Sequence, residues 1–365
     1  MDENVKKRFP EPDTAKAFAI FAVILQHAGI DEGNAFFFMS SFQVPLFFVL
    51  SAAFAGDKLK NQESLKSRLK RLFIPYLCFS LIDTLMSLFV AFAKTGGFDT
   101  SELLRCLALF ISGFGISVTW FLSALIVTEL LFSLWLKLKR LLKLFVAIAV
   151  FAAFFIINSF GSLLIVWYAT TASENEIPSF FLCCLVSAIA RLPLCLIVYG
   201  VSYYLAPRLG RVKLKAIITF PLTLLFLGIC YLISITNGGG SMGMVYYGFF
   251  PILYFLSIFF GCVGMLLLAR CLSLLKLSRP FAFLGANSLI ILLTHMDLYL
   301  LSPAKLIAGK VCGSQAGAAF FILTLLLTLL EEIPLILIIN RFFPILTGKV
   351  KKLPSAEGSS QTDIV

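Results

Sequence analysis

Apolar runs of roughly twenty residues, the length an α-helix needs to cross a bilayer, recur along nearly the whole chain. Ten can be placed, at 14–31, 35–56, 72–93, 118–136, 144–163, 180–205, 216–235, 247–269, 282–301 and 316–340. The hydrocarbon offers no water to backbone N–H and C=O groups, so such a chain must fold as helices or as a closed barrel. A barrel would show short segments of alternating polarity, whereas these runs are continuous. The sequence therefore predicts an all-α polytopic membrane protein. Composition agrees: 60% of the 365 residues are hydrophobic and 13% charged. That leaves too few polar groups to cover a soluble protein, and the hydrophobicity excludes disorder.

The net charge of +11 would suggest a nucleic-acid partner in a soluble protein. Here the cations sit in short loops between the apolar runs, so no nucleic acid is expected. With the N-terminus in the cytoplasm and ten alternating spans, the inside segments hold 24 of the 30 Lys and Arg and the outside segments 4. Lys16 and Arg191 fall within spans. By the positive-inside rule this places both termini in the cytoplasm. Lys6, Lys7 and Arg8 precede the first run without a small-residue cleavage site, so a retained first helix is expected. The nine cysteines lie mostly inside apolar runs without paired spacing and read as small buried hydrophobes, neither metal ligands nor a disulfide framework.

The connection at 94–117 contains an apolar piece, Leu103 to Ile111, too short to span and expected as a re-entrant or interfacial helix. The connection at 236–246 holds Gly238, Gly239 and Gly240 and is expected to be flexible. No internal repeat is evident, and no folded extramembrane domain fits. The expected organisation is one transmembrane domain over 1–340 and a basic, then polar, cytoplasmic tail over 341–365.

An ionisable side chain inside the bilayer is costly and marks a candidate functional position. The set is Lys16, His27, Asp83, Glu129, Arg191, His295, Asp297, Glu331 and Glu332. His27 follows Lys16 by 11 residues, a rise of about 16 Å. His295, Asp83 and Glu129 reach a similar depth from their own span ends. Both histidines of the protein thus meet carboxylates just outward of the bilayer centre, which suits a buried acid–base centre. Arg191 is expected to pair with a carboxylate. Glu331 and Glu332, toward the inner end of the last span, are expected in structural pairing.

Asp13-Thr14-Ala15-Lys16, ten further residues and His27 resemble the first-helix signature of acyltransferase family 3, the membrane O-acyltransferases. Phe42 through Ser51 is similar to the family's second-helix run. Arg68, Arg71 and Ile74-Pro75-Tyr76 resemble its basic loop, and Trp120-Phe121-Leu122 its fourth-span start. Leu284-Gly285-Ala286-Asn287-Ser288-Leu289, leading to His295, resembles its late helix. The resemblance covers roughly residues 10–340. Lys16 stands where Arg is commoner, and Ser51 is followed by Ala52 rather than Gly.

The resemblance implies transfer of an acyl group, commonly acetyl, from cytoplasmic acyl-coenzyme A to a hydroxyl of an envelope glycan or similar acceptor, in a bacterial cytoplasmic membrane. No permanently bound cofactor is implied. His27 is the expected base or transient acyl carrier, with Asp83, Glu129 or His295 orienting it. Lys16, Arg68, Lys70 and Arg71 are the expected donor-binding cations. Asp13, Ser51, Trp120, Asn287 and Ser288 are carried over as motif positions. A carrier for a lipid-linked sugar or small metabolite would use the same intramembrane ionisable groups, and is the competing reading.

Overall fold

A computed structural model of the chain describes residues 10–30, 33–173, 176–209, 214–296 and 300–348. Asp297, Lys6, Lys7, Arg8 and most of the 341–365 tail lie outside the described residues. Within them the chain folds as α1 (Pro10–His27), α2 (Gly33–Ser40), α3 (Pro45–Ala55), α4 (Gln62–Thr95), α5 (Thr100–Ile111), α6 (Trp120–Lys137) and α7 (Arg140–Ser173). It continues as α8 (Ile177–Leu209), α9 (Ala216–Thr236), α10 (Pro251–Leu274), α11 (Arg279–Ala286), α12 (Ser288–Thr294), α13 (Leu301–Cys312) and α14 (Ala318–Phe342). The only extended pairing among the described residues is one isolated bridge, Ser241 to Tyr246. The protein is an all-α polytopic membrane protein.

Among the described residues, eight helical stretches are long and apolar enough to cross a membrane: 33–59, α4, α6, α7, α8, α9, α10 and the α14 helix. The other two expected runs are present in altered form. The first is α1, whose 18 residues carry Glu11, Asp13 and Lys16. The ninth is broken at Asn287 into α11 and α12. There Nδ2 of Asn287 donates to the Phe283 carbonyl (2.9 Å), while Oδ1 accepts from Asn340 Nδ2 on α14 (2.8 Å). The side-chain amide thus partners groups around the break, as hydrocarbon depth requires.

Short helices obey local chemistry. Asp99 caps α5, its Oδ1 accepting from the Glu102 N–H at 3.1 Å. The expected short helix between the third and fourth long spans is thereby present. The glycine-rich connection departs from expectation, because its backbone is held by one side chain. Nδ2 of Asn237 donates to the carbonyls of Gly239 (3.2 Å) and Tyr247 (2.9 Å), and its Oδ1 accepts from the Phe250 N–H (2.8 Å). Glycine there serves close approach: a Cβ on Gly240 would lie 2.4 Å from the Tyr254 ring.

The first helix is the hub of the bundle. It packs against α2, α3, α10, α11, α12 and α14. Ala15, Ala19, Ile20 and Ile24 are fully buried. Small residues let neighbours come close, the packing mode that works where lipid removes the hydrophobic drive. The closest approach is at α11, where a Cβ on Gly285 would fall 1.5 Å from the Asp13 carbonyl oxygen. By contrast α7 packs chiefly along α8 and leaves most of its surface to lipid.

The crossing of α1 and α11 yields a two-sided prediction. Gly285→Ala meets backbone, which no rotamer change relieves, so thermal unfolding in detergent should fall by the overpacking cost of about 1–3 kcal/mol or more. Gly228→Ala, in α9 with open space around its Cβ, should stay within about 1 kcal/mol of the parent or gain slightly. Equal melting temperatures for the two variants would contradict the close crossing.

Candidate active site

The C-terminal end of α1 and the end of α12 bring the two histidines together. Nδ1 of His27 lies 2.8 Å from Nε2 of His295, and the rings are near parallel at 15° with centroids 5.0 Å apart. Nδ1 of His295 is 2.8 Å from the Ile291 carbonyl. That carbonyl can only accept, so the hydrogen on His295 sits on Nδ1. In the neutral pair Nε2 of His295 is then an acceptor, and His27 must donate from its own Nδ1. The remaining nitrogen of His27, Nε2, carries a lone pair. His295 is fully buried, whereas His27 is exposed. The outermost lone pair of the chain Ile291–His295–His27 is therefore accessible. This is the arrangement of a general base whose tautomer is set by a second group.

Of the three groups that the sequence leaves open as orienters of His27, the structure places His295 against it. Asp83 is buried on α4. Glu129 lies elsewhere. It is fully buried on α6, where Arg68 clasps it with Nε on Oε2 (3.1 Å) and Nη2 on Oε1. Ser51 Oγ donates to the same carboxylate at 2.6 Å and Tyr199 Oη at 3.3 Å, while Arg68 Nη2 also reaches Ser51 Oγ at 3.2 Å. Two motif positions, Ser51 and Arg68, thus form with Glu129 one ion-pair network joining α3, α4, α6 and α8.

Lys16 is half-buried and donates to Asp13 Oδ1 at 3.2 Å, one turn earlier on α1. Eleven residues make about three helical turns, so Lys16 and His27 lie on one stripe of α1. Lys70 and Arg71 are exposed on α4, at the bundle end that also carries the other loop cations. Ser288 is buried at the start of α12 beside the Asn287 break.

Arg191 departs from its expected carboxylate pairing. Nε donates to the Gly243 carbonyl (2.8 Å) and Nη1 to that of Phe114 (2.9 Å). Its guanidinium lies over the rings of Phe114 (4.1 Å) and Trp120 (5.1 Å). Carbonyl dipoles and π-faces serve as the counter-charge of this buried cation. Trp120 is thereby explained as one wall of a clamp between two loops.

Glu332, expected in structural pairing, is held by a hydroxyl rather than by a cation. It is fully buried, and the Thr294 hydroxyl lies 2.8 Å from both of its oxygens. Thr294 immediately precedes His295, so α14 is tied to the residue beside the histidine pair. Because α14 runs on to Phe342, Glu332 lies well inside the helix. The span expected at 316–340 differs from α14 by two residues at each end.

The model of the acyltransferase domain family, family 3, matches residues 9–339. No curated protein and no solved structure matches the chain. With that match running from the start of α1 through most of α14, the chain belongs to acyltransferase family 3 and is a membrane acyltransferase.

Proposed function

We propose that this enzyme transfers an acyl group, acetyl in the first instance, from cytoplasmic acyl-coenzyme A to a hydroxyl of an envelope glycan or another envelope acceptor. Its place is the bacterial cytoplasmic membrane, with both termini on the donor side. The observation that carries the reading is the ordered hydrogen-bond chain from the Ile291 carbonyl through His295 to His27. Nε2 of His27 takes the proton of the acceptor hydroxyl as its oxygen attacks the thioester carbonyl carbon. The tetrahedral intermediate collapses, the C–S bond breaks, and the thiolate takes the proton back from His27. The products are the ester and free coenzyme A, with no net change in protons. During the step the positive charge on His27 is met by the His295 lone pair, which faces its Nδ1–H. His295 is a positioning residue, acting through His27.

The donor enters from the cationic end of the bundle. Lys16 lies about 16 Å below His27 on the same stripe of α1, a distance that suits a donor with its phosphates at Lys16 and its thioester at His27. Lys70 and Arg71 add exposed charge at that entrance. The role of Arg68 differs from theirs. Its fork is engaged by Glu129, so it fixes the helices around the entrance, and Glu129 is its counter-ion rather than a base.

These assignments separate in kinetics. Membranes or purified protein are supplied with acetyl-labelled coenzyme A, and label is followed into the envelope fraction and free acetate. His27→Ala should lower kcat by about 10²–10⁴ with little change in donor KM. Unchanged kcat with a raised KM would remove the base assignment. His295→Gln can set an amide oxygen near the position of Nε2 and should retain much of the rate, whereas His295→Leu should not. Lys16→Ala should raise donor KM and leave kcat nearly as it was.

Glu129→Gln leaves the half-buried Arg68 guanidinium without its counter-charge, a loss below the about 3–5 kcal/mol seen where fully buried pairs are broken. Its melting temperature should drop, while protein that remains folded keeps His27-dependent turnover. Full stability with abolished kcat would instead put Glu129 at the chemistry.

A further inference from the structure

One cavity described in the protein lies away from the histidines. It occupies about 760 Å³ between α6, α7 and α8, at the bundle end that carries the loop cations. The two helices α6 and α7 are joined by a turn of only Leu138 and Lys139, after which α7 follows α8. The helices therefore diverge from the turn and leave a wedge with α8 as its floor. Its walls are apolar, among them Leu131, Val150, Phe151 and Ile197, with the backbone of Gly200 at the floor. Leu131, Leu134, Phe151 and Val201 around it are exposed on the lipid-facing surface.

The rim has one sign of charge. Segments 131–151 and 194–209 carry Lys137, Lys139, Arg140, Lys143 and Arg208, and neither Asp nor Glu. Arg208 lines the cavity and is exposed. The ammonium of Lys143 stands 5.5 Å from the Trp135 ring, and Trp135 Nε1 donates to the Lys143 carbonyl at 3.2 Å. Trp135 and Tyr204 face each other edge to face at 6.3 Å, the kind of aromatic pair found at headgroup depth. A second cavity of about 480 Å³ on the other side of α8 contrasts with this one. Arg270 is among its lining residues, but Glu11 stands 3.6 Å from that guanidinium and offsets its charge.

We propose that the α6–α7–α8 wedge is a binding site for one anionic glycerophospholipid of the adjoining leaflet. One acyl chain fills the wedge, and the phosphate sits at Arg208 and Lys143 beneath Trp135 and Tyr204. A basic pocket between transmembrane helices at the cationic side of a protein is the setting in which anionic headgroups are recognised. The chain supplies the contacts that α7 lacks toward α6, since an unfilled wedge forfeits dispersion on both walls. The lipid is held and is not a reactant, so the site stands apart from acyl transfer.

The test uses the full chain, delipidated in uncharged detergent and supplied with phosphatidylglycerol or phosphatidylcholine of matched chains. Retained lipid is counted by native mass spectrometry, and thermal unfolding is followed in parallel. Wild-type protein should retain phosphatidylglycerol in preference and melt higher with it. Arg208→Gln and Lys143→Gln should each weaken phosphatidylglycerol retention about fivefold, the equivalent of about 1 kcal/mol per cation, without changing that of phosphatidylcholine. Ala147→Trp fills the wedge from α7 with every cation intact, and should reduce retention of both lipids. Inorganic phosphate and glycerophosphate should not raise the melting temperature. The proposal is overturned by equal retention of the two lipids, by retention that none of the three variants lowers, or by a phosphate-only shift as large as that of the lipid.

Discussion

Inside a bilayer a polar group has only the protein to turn to, and this constraint explains more of the structure than any single contact. Three buried ionisable groups of the bundle show how each is met by a partner suited to it. Glu129 takes the planar fork of Arg68, with Ser51 and Tyr199 filling the remaining lone pairs. Arg191 turns to two carbonyls and two aromatic faces. Glu332 takes the Thr294 hydroxyl. Even the uncharged break between α11 and α12 is supplied by Asn287 and Asn340. These partnerships link helices far apart in sequence, so satisfying the polar groups and fixing the helix arrangement are one event.

The same constraint makes α1 the axis of the bundle. A helix that carries Glu11, Asp13 and Lys16 is poorly suited to face lipid, so it is surrounded by six others. Being surrounded, it can hold Lys16 and the exposed His27 about three turns apart on one rigid rod, the kind of element that keeps site geometry tight. Gly285 lets α11 sit directly on the first turns of α1. The helix that continues from α11 then delivers His295 to the far end of the same rod.

Much of this was legible in the sequence. The apolar runs predicted an all-α bundle because their length and continuity have no other use. Matched depth singled out His27 and His295 before their contact was known, because rise per residue in a helix is fixed. What stayed hidden depended on rotation about the helix axes and on packing, which depth does not encode. Glu129 shares the depth of the histidines but points to Arg68. Asn237 holds a glycine-rich turn that composition alone would make mobile. The span at 316–340 matched α14 within two residues, yet depth did not reveal that Glu332 faces Thr294.

The choice of an imidazole, rather than a carboxylate, to orient His27 has a physical rationale. A carboxylate at the position of His295 would place a full negative charge in a dry interior, and the desolvation cost would have to be met by a permanent counter-ion. Such a counter-ion would naturally be His27 itself, held protonated and unable to act as a base. A neutral imidazole avoids both outcomes. It accepts one hydrogen from His27, is locked by the Ile291 carbonyl, and brings no charge of its own. The carboxylates of this bundle can then be spent elsewhere, on Arg68 and Thr294, where they hold helices together without drawing the proton that the reaction must move.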